Sequence, residues 1–298
     1  MARRIRIIAN PVSGRGRAVR IATGIARRLR GGGCEVECFE TARPGDGRRA
    51  AASSAGADTI VCIGGDGTLN EVLNGLPERG APPLAVVPAG TANVLAKELR
   101  LPRRCEAIVD LILNGRIVHR DTGVNLTDGR RFLMFAGAGY DSITVESLHR
   151  RRTGPTRMSL YIAHGLAGLA CYRPPCLAVT IDGETVTRRA AWTIVSTVRH
   201  YGGPLVFTPG AASGSFEVMV QEGGGSLATL RLVIASFLSH LSGRRITPGD
   251  VTRHRGRRVA LASEDGRRVP LQIDGDPAAS LPAELELRPR SVRILTTP

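Results

Sequence analysis

One carboxylate stands among glycines in the run Gly64-Gly65-Asp66-Gly67-Thr68-Leu69-Asn70. An aspartate beside phosphates is repelled unless it holds a metal ion or a hydroxyl proton, so its placement points to phosphoryl transfer more than to passive nucleotide binding. Thr59-Ile60-Val61-Cys62-Ile63 before it is short, apolar and β-branched, which predicts a buried strand. Leu69, Val72, Leu73 and Leu76 follow at helical spacing, and Gly75 with Pro77 closes that helix. Glycines at such a strand-to-helix turn offer bare backbone N–H groups, and the positive end of the helix dipole, to an anion. GxxxxGK[ST] is absent and the run does not fit GxGxxG, so neither common nucleotide fingerprint applies.

Two further loops carry compatible chemistry. Asn10-Pro11-Val12-Ser13-Gly14-Arg15-Gly16-Arg17 is a glycine turn in which Ser13 and backbone amides supply donors and Arg15 or Arg17 the charge for a second phosphate contact. An ordinary strand–helix turn that needs glycine for positive φ reads the same way. In Pro88-Ala89-Gly90-Thr91-Ala92-Asn93, Thr91 and Asn93 are suited to bonding phosphate or to capping a helix. Thr41 ends a strand and faces either a ribose or adenine, or serves as a helix N-cap.

The elements that must position these loops alternate regularly. Strands are predicted at 4–9, 34–40, 60–63 and 84–87, with helices around 17–30, 48–56, 68–76 and 92–99. Such alternation implies a doubly wound parallel sheet, with ligands outside the carboxyl ends of the strands, where all the loops above fall. Beyond about residue 123 strand-like runs dominate, at 132–136, 177–182, 191–198, 215–220, 257–262 and 269–273. Helical inserts interrupt them around 140–150, 157–170 and 226–241. The expectation is therefore an α/β domain over 1–123 and an antiparallel β-sandwich with helical inserts over 124–284. The closing strands, near 284–288 and 291–295, are free to belong to either, so that 285–298 can pack back on the first domain.

Composition narrows the partners. The 298 residues are 42% apolar, enough for two cores, and carry a net charge of +15. Nearly all the positive charge is arginine, Lys97 being the only lysine, and it is spread as about +7 over 1–123, about +6 over 124–284 and about +2 beyond. Even spreading is a weak footprint for a nucleic-acid groove and suits diffuse attraction to an anionic membrane surface. Arginines cluster at 150–152 with Arg157, at 244–245, and at 253–258, each read either as headgroup docking or as a solvated face. Six cysteines show no CxxC pair, as expected of reduced thiols in a cytosolic protein. No signal-peptide apolar region follows Met1, and the apolar stretches 158–172 and 227–241 are interrupted by His164, Arg231 and His240. A cytoplasmic protein that meets lipid only from the surface is expected.

Taken together, Asn10-Pro11…Gly14, Gly64-Gly65-Asp66-Gly67-Thr68-Leu69-Asn70-Glu71 and Pro88-Ala89-Gly90-Thr91-Ala92-Asn93 resemble the diacylglycerol kinase catalytic-domain family, which includes soluble bacterial lipid kinases and the sphingosine and ceramide kinases. Tyr172-Arg173-Pro174, Ile181-Asp182-Gly183, Tyr201-Gly202-Gly203, Thr208-Pro209…Ala211 and Ile273-Asp274-Gly275-Asp276 look like landmarks of its second domain, so the resemblance covers nearly the whole chain. It implies an ATP-binding α/β domain, a lipid-binding β-sandwich and a cleft between them. ATP would be held by residues 10–15 and 17, Thr41, the run 64–70, Gly90, Thr91 and Asn93, with Mg²⁺ at Asp66. The resemblance also implies a proton acceptor in a late DG[ED] element. Here that is Asp276, where the family usually has Glu, with Asp274 beside it; on the residues alone Asp274-Gly275-Asp276 is a β-turn. The structural Mg²⁺ that bacterial relatives hold after Tyr-Gly-Gly is not expected, because Ser213 stands where Asp is usual. The expected activity is an ATP-dependent lipid kinase acting on a membrane lipid, without nucleic acid. A catalytically silent lipid- and nucleotide-binding regulator and a NAD kinase, which shares GGDG, are the alternatives.

Overall fold

The computed structural model describes residues 2–151, 158–169, 172–201, 205–207, 213–244 and 246–297. Residues 202–204 and 208–212, and Arg152, Arg157 and Arg245, on which several of these expectations fall, lie outside the described residues. The chain forms two units, 1–121 with 290–298, and 122–289.

The first unit runs β1 (Arg4–Ala9), α1 (Arg17–Gly31), β2 (Glu35–Glu40), α2 (Asp46–Ala52), β3 (Thr59–Gly64), α3 (Asp66–Gly75), β4 (Leu84–Pro88), α4 (Val94–Glu98) and α5 (Cys105–Asn114). Its strands are parallel in the order β2-β1-β3-β4. β3 is buried along its whole length, as a continuous apolar run covered on both faces must be. α1 and α5 pack together, as do α2 and α3. In α1 the buried stripe Ala18, Ala22, Ile25, Ala26, Leu29 follows helical spacing while its arginines face outward. Because β2 and β3 lie on opposite sides of β1, the loops after β1 and β3 diverge at a topological switch point, where open α/β sheets bind ligands.

β5 (Arg116–Asn125) leads into the second unit. There follow β6 (Arg131–Phe132), β7 (Phe135–Ala138), α6 (Tyr140–Arg151), α7 (Met158–Leu169), β8 (Leu177–Ile181), β9 (Glu184–Ala190), β10 (Trp192–Ser196), β11 (His200–Tyr201) and β12 (Leu205–Val206). Then come β13 (Phe216–Gln221), α8 (Ser226–Ser242), β14 (Val251–Gly256), β15 (Arg258–Ser263), β16 (Pro270–Ile273), β17 (Asp276–Ser280) and β18 (Ala283–Thr296). An antiparallel sheet β14-β13-β10-β7-β16-β17 faces the antiparallel strands β9-β8-β15 and the first half of β18. Alternate residues of both layers, among them Ala136, Val195, Val218 and Leu271 against Val179, Val259, Leu261 and Leu285, form the core, with Phe132 stacked on Phe216 at 5.8 Å.

The doubly wound sheet and the sandwich with three helical inserts are thus as the sequence predicts. The two closing strands are one: β18 passes through Pro289 and the left-handed Arg290, pairing with β15 before them and, in parallel, with β4 after them. That irregularity interrupts the apolar pattern without ending the strand. α5 and β14 carry no counterpart in the sequence reading; β14 places Arg253, His254 and Arg255 in succession, so its strand pattern is hidden in a basic cluster. No helix of the described residues is long and apolar enough to cross a membrane.

Candidate active site

The three glycine loops of the first unit interlock. The carbonyl of Gly64, the last residue of β3, accepts from Ala89 N–H at 2.8 Å and Gly90 N–H at 3.1 Å. A Cβ on Gly90 would collide with Gly65 Cα, so both positions are glycine because two backbones touch there. A Cβ on Gly14 would lie 2.5 Å from the Ala89 carbonyl, which seats the first loop on the third. Asn10 ties the first loop to the second: its backbone N–H donates to Ile63 O at 2.9 Å and its side-chain amide to Thr68 Oγ1 at 3.0 Å.

Asn93 adopts a left-handed conformation and brackets Gly90, accepting from its N–H at 2.9 Å and donating to its carbonyl at 2.7 Å. Asp66 opens α3, and its Oδ1 accepts from Val94 N–H at 2.9 Å at the start of α4. Asn10, Gly14, Gly64, Gly65, Asp66, Thr68, Gly90 and Asn93 are therefore brought together within one unit. Pro11, Val12 and Ser13 form the turn between Asn10 and Gly14, where Asn10 Oδ1 accepts from Val12 N–H. Arg15 and Arg17 are exposed at the start of α1, whose first turn holds no acidic residue. Thr41 is buried beside the end of β1, donating its backbone N–H to Ala9 O; the N-cap of α2 is Gly45 instead. Thr91 is exposed, Gly67 half-buried, and Leu69 and Asn70 are buried in α3.

Cys62, Gly64, Gly65, Asp66, Leu69, Val86, Pro88, Asn93 and Ala96 line a small recess at these loops. Burial, reinforced by the Glu71 and Asp66 carboxylates, pushes the Cys62 thiol up to about 12, so it is a neutral apolar wall and no nucleophile. Glu71 itself is a residue to which sequence reasoning gave no role. Its carboxylate accepts from Gly45 and Gly47 N–H at 2.9 and 3.0 Å and so caps α2 from α3.

In the second unit Asp274 and Gly275 both have positive φ and join β16 to β17, the geometry of a two-residue type I′ hairpin. The β-turn reading of this segment therefore holds. The Asp274 carboxylate is buried and accepts from three successive backbone amides, Leu133 at 3.0 Å, Met134 at 3.0 Å and Phe135 at 3.1 Å. Those bonds make it a clasp between the turn and the β6–β7 connection. Asp276 is half-exposed, with Oδ2 3.8 Å from the Arg130 guanidinium.

A further acid, unmarked in the sequence, lies behind this turn. Asp141, near the start of α6, is buried and accepts from Tyr201 Oη at 2.8 Å, Gln272 Nε2 at 3.0 Å and Ser142 N–H at 2.8 Å. Burial pushes its carboxyl up to about 6 against the pull of those donors. Gln272 passes the connection on, since its Oε1 accepts from Gly275 N–H at 2.9 Å, one residue before Asp276.

Known proteins share this organisation. Residues 4–124 match the diacylglycerol kinase catalytic domain, and residues 135–296 match the YegS C-terminal NAD kinase beta sandwich-like domain. The diacylglycerol kinase of Mycobacterium tuberculosis is 30% identical over 98% of this chain and 94% of its own. The chain belongs to the diacylglycerol kinase family, a family of lipid kinases. A diacylglycerol kinase of Bacillus subtilis is 28% identical over 95% of this chain and 92% of its own. In fold, the chain matches the crystal structure of a diacylglycerol kinase from Bacillus anthracis with a TM-score of 0.73 at 21% identity, over 99% and 97% of the two chains. Family membership explains why the GGDG turn occurs here with PxGTxN, and it sets the NAD kinase alternative aside.

Proposed function

We propose that this family member transfers the γ-phosphoryl group of ATP to a free hydroxyl of a diacylglycerol-like lipid, acting from the cytoplasm on an anionic membrane surface. The observation that carries the reading is the interlocking of the three glycine loops around Asp66. Their residues fit a polyphosphate: glycines at 14, 65 and 90 let the three loops close backbone to backbone, and Arg15 and Arg17 stand exposed at the acid-free start of α1. They also fit Mg²⁺, which needs only one or two carboxylates when phosphates supply its other ligands, and Asp66 would be that carboxylate. Bound there, the ion would neutralise charge developing on the transferred group.

The chain's own residues would do the rest. Backbone amides at 64–67 and 91 orient the phosphates, while the Gly90 N–H, held by Gly64 O and Asn93 Oδ1, fixes the third loop and Asn10 holds the first in register. Asp276 accepts the hydroxyl proton as the oxygen attacks, while Asp274 fixes the turn that carries it. A second reading, binding without turnover, is favoured by the shorter Asp276 side chain and its Arg130 neighbour. The test is incubation of a total lipid extract with labelled ATP and Mg²⁺, comparing the protein with Asp66→Asn. Label should enter one lipid class with the wild type and fall at least about a hundredfold with the variant. A folded Asp66→Asn protein with wild-type transfer refutes the mechanism. ATP binding without transfer by the wild type, with transfer gained by Asp276→Glu, supports the second reading.

A further inference from the structure

The helix α8 is amphipathic the wrong way round for a core-packing helix. Its buried positions are Thr229, Leu232, Ala235, Ser236 and Ser239, mostly small or hydroxylic. The inward hydroxyls anchor it by hydrogen bonds rather than apolar burial. Ser236 Oγ accepts from Val206 N–H at 2.7 Å, Ser239 Oγ accepts from Ile246 N–H at 2.9 Å, and Ser226 Oγ donates to Leu169 O. Its large apolar side chains face outward instead. Leu227 is 83% exposed and Leu241 65%, with Ile234, Phe237, Leu238 and, just past the helix, Ile246 also exposed. Leu227, Ile234, Leu238 and Leu241 follow at intervals of seven, four and three residues and so share one stripe.

Charge selects what covers that stripe. From Gly223 to Gly249 there is no carboxylate, while Arg231, Arg244 and Arg245 are present. The same holds from Ser147 to Ile181, which includes α7, the helix that packs against α8 and exposes Leu166. Arg231 is paired with Asp250. Arg244 and Arg199 are exposed, and among the described residues neither guanidinium has an acidic partner. Arg199 adjoins His200, whose ring lies 6.4 Å from that of His240 on α8, so it flanks the helix. A second copy docking through this face about a two-fold axis would set cationic surface against itself. A bilayer with anionic headgroups satisfies both features: the apolar stripe enters the acyl boundary and the arginines meet phosphates.

We propose that the outer face of α8 is the surface by which this protein docks on anionic membranes. The proposal rests on the lipid-kinase reading for its biological sense, but its test involves no catalysis. Full-length protein is sedimented with vesicles of phosphatidylglycerol or of phosphatidylcholine, without ATP. Wild type should bind the former and not the latter, less at high salt. Leu238→Asp with Leu241→Asp should weaken binding at least tenfold, and Arg244→Ala about fivefold, with circular dichroism unchanged. Arg257→Ala, in the β14–β15 cluster, should bind as wild type. As a check independent of disruptive charges, Leu241→Trp should show a blue-shifted emission on phosphatidylglycerol vesicles. Undiminished binding by the double aspartate variant, no vesicle binding by the wild type, or a wild-type dimer that the double variant dissociates would each overturn the proposal. Failure of phosphoryl transfer to any lipid would overturn the kinase reading and leave this one standing.

Discussion

Asp274 and Asp276 are two residues apart, and substitution should separate them completely. Asp274→Ala removes a carboxylate that three amides share, and Leu133, Met134 and Phe135 are each less than 5% exposed. A buried donor left without an acceptor costs about 1–3 kcal/mol, so three of them, partly relieved by a water in the vacated space, should cost about 4 kcal/mol. For a unit of this size that is a fall of roughly 8–16 °C in the melting temperature of the second unit. Asp182 supplies the control. It occupies the same kind of Asp-Gly hairpin, between β8 and β9, and its carboxylate accepts from Arg257 and Arg258 N–H at 2.9 and 2.8 Å. Both of those residues are exposed, so water replaces the lost acceptor and Asp182→Ala should cost only about 1 kcal/mol.

Asp276→Asn should behave in the opposite way. Its pairing with Arg130 is long and partly exposed, a contact of a kind that contributes about 0–1 kcal/mol, so stability should hardly move. Transfer to lipid should fall about 10²–10⁴-fold, the usual contribution of a positioned base. Calorimetry and a labelled-ATP transfer assay on the three variants read both quantities. An Asp274→Ala protein melting within about 2 °C of wild type would refute the clasp. An Asp276→Asn protein with wild-type turnover would refute the assignment of the base.

Asp141 should make stability depend on pH in a direction unusual for a carboxylate. Its pKa is raised from 3.8 to about 6. The folded state therefore holds the extra proton, and stability is lost as pH rises through that window, by about 3 kcal/mol in total. Urea midpoints between pH 4 and 7 should show this slope in the wild type and lack it in Asp141→Asn; equal slopes refute it. Gly90→Ala should force the backbones of Gly65 and Gly90 apart, costing about 1–3 kcal/mol and weakening ATP binding by at least tenfold in a calorimetric titration. Glu71→Ala should cost about 1–2 kcal/mol by uncapping α2 while leaving nucleotide contacts in place, and Glu71→Gln should recover part of it in thermal melts.

The loops of the first unit were legible because their chemistry is local. Gly64 answers to Thr68 and Asn93 to Gly90 within the same loops, and β3 and β4 before them announce themselves by apolar runs; the Gly65–Gly90 contact alone joins separate loops among these. Groups that act across the chain gave no such signal. Asp141 meets Tyr201 and Gln272 at separations of 60 and 131 residues, and a single acid after Gly139-Tyr140 has no periodicity to mark it. Glu71 reaches α2 across 24 to 26 residues, and within its own helix it reads as one more exposed acid. α8 misled in a subtler way: its apolar content predicts a helix correctly, but only the fold reveals that the serines face inward.

The acid assignment shows where sequence stops and environment begins. Ile181-Asp182-Gly183-Glu184 and Ile273-Asp274-Gly275-Asp276 are the same local device: a strand ends in Ile, Asp and Gly turn with positive φ, and an acid starts the return strand. In each the first acid clasps amides of a neighbouring segment, and the second starts the return strand. What distinguishes the two hairpins is the residue two places before the first Asp. The Thr180 hydroxyl bonds Thr185 across its own hairpin, and Glu184 is left exposed at the edge strand β9. Gln272 instead joins Gly275 N–H to the buried Asp141, so the turn bearing Asp276 is held from behind by a network that reaches Tyr201. If Asp276 is the acceptor proposed above, its short side chain requires a fixed backbone, and this network is the part of the fold that would supply it.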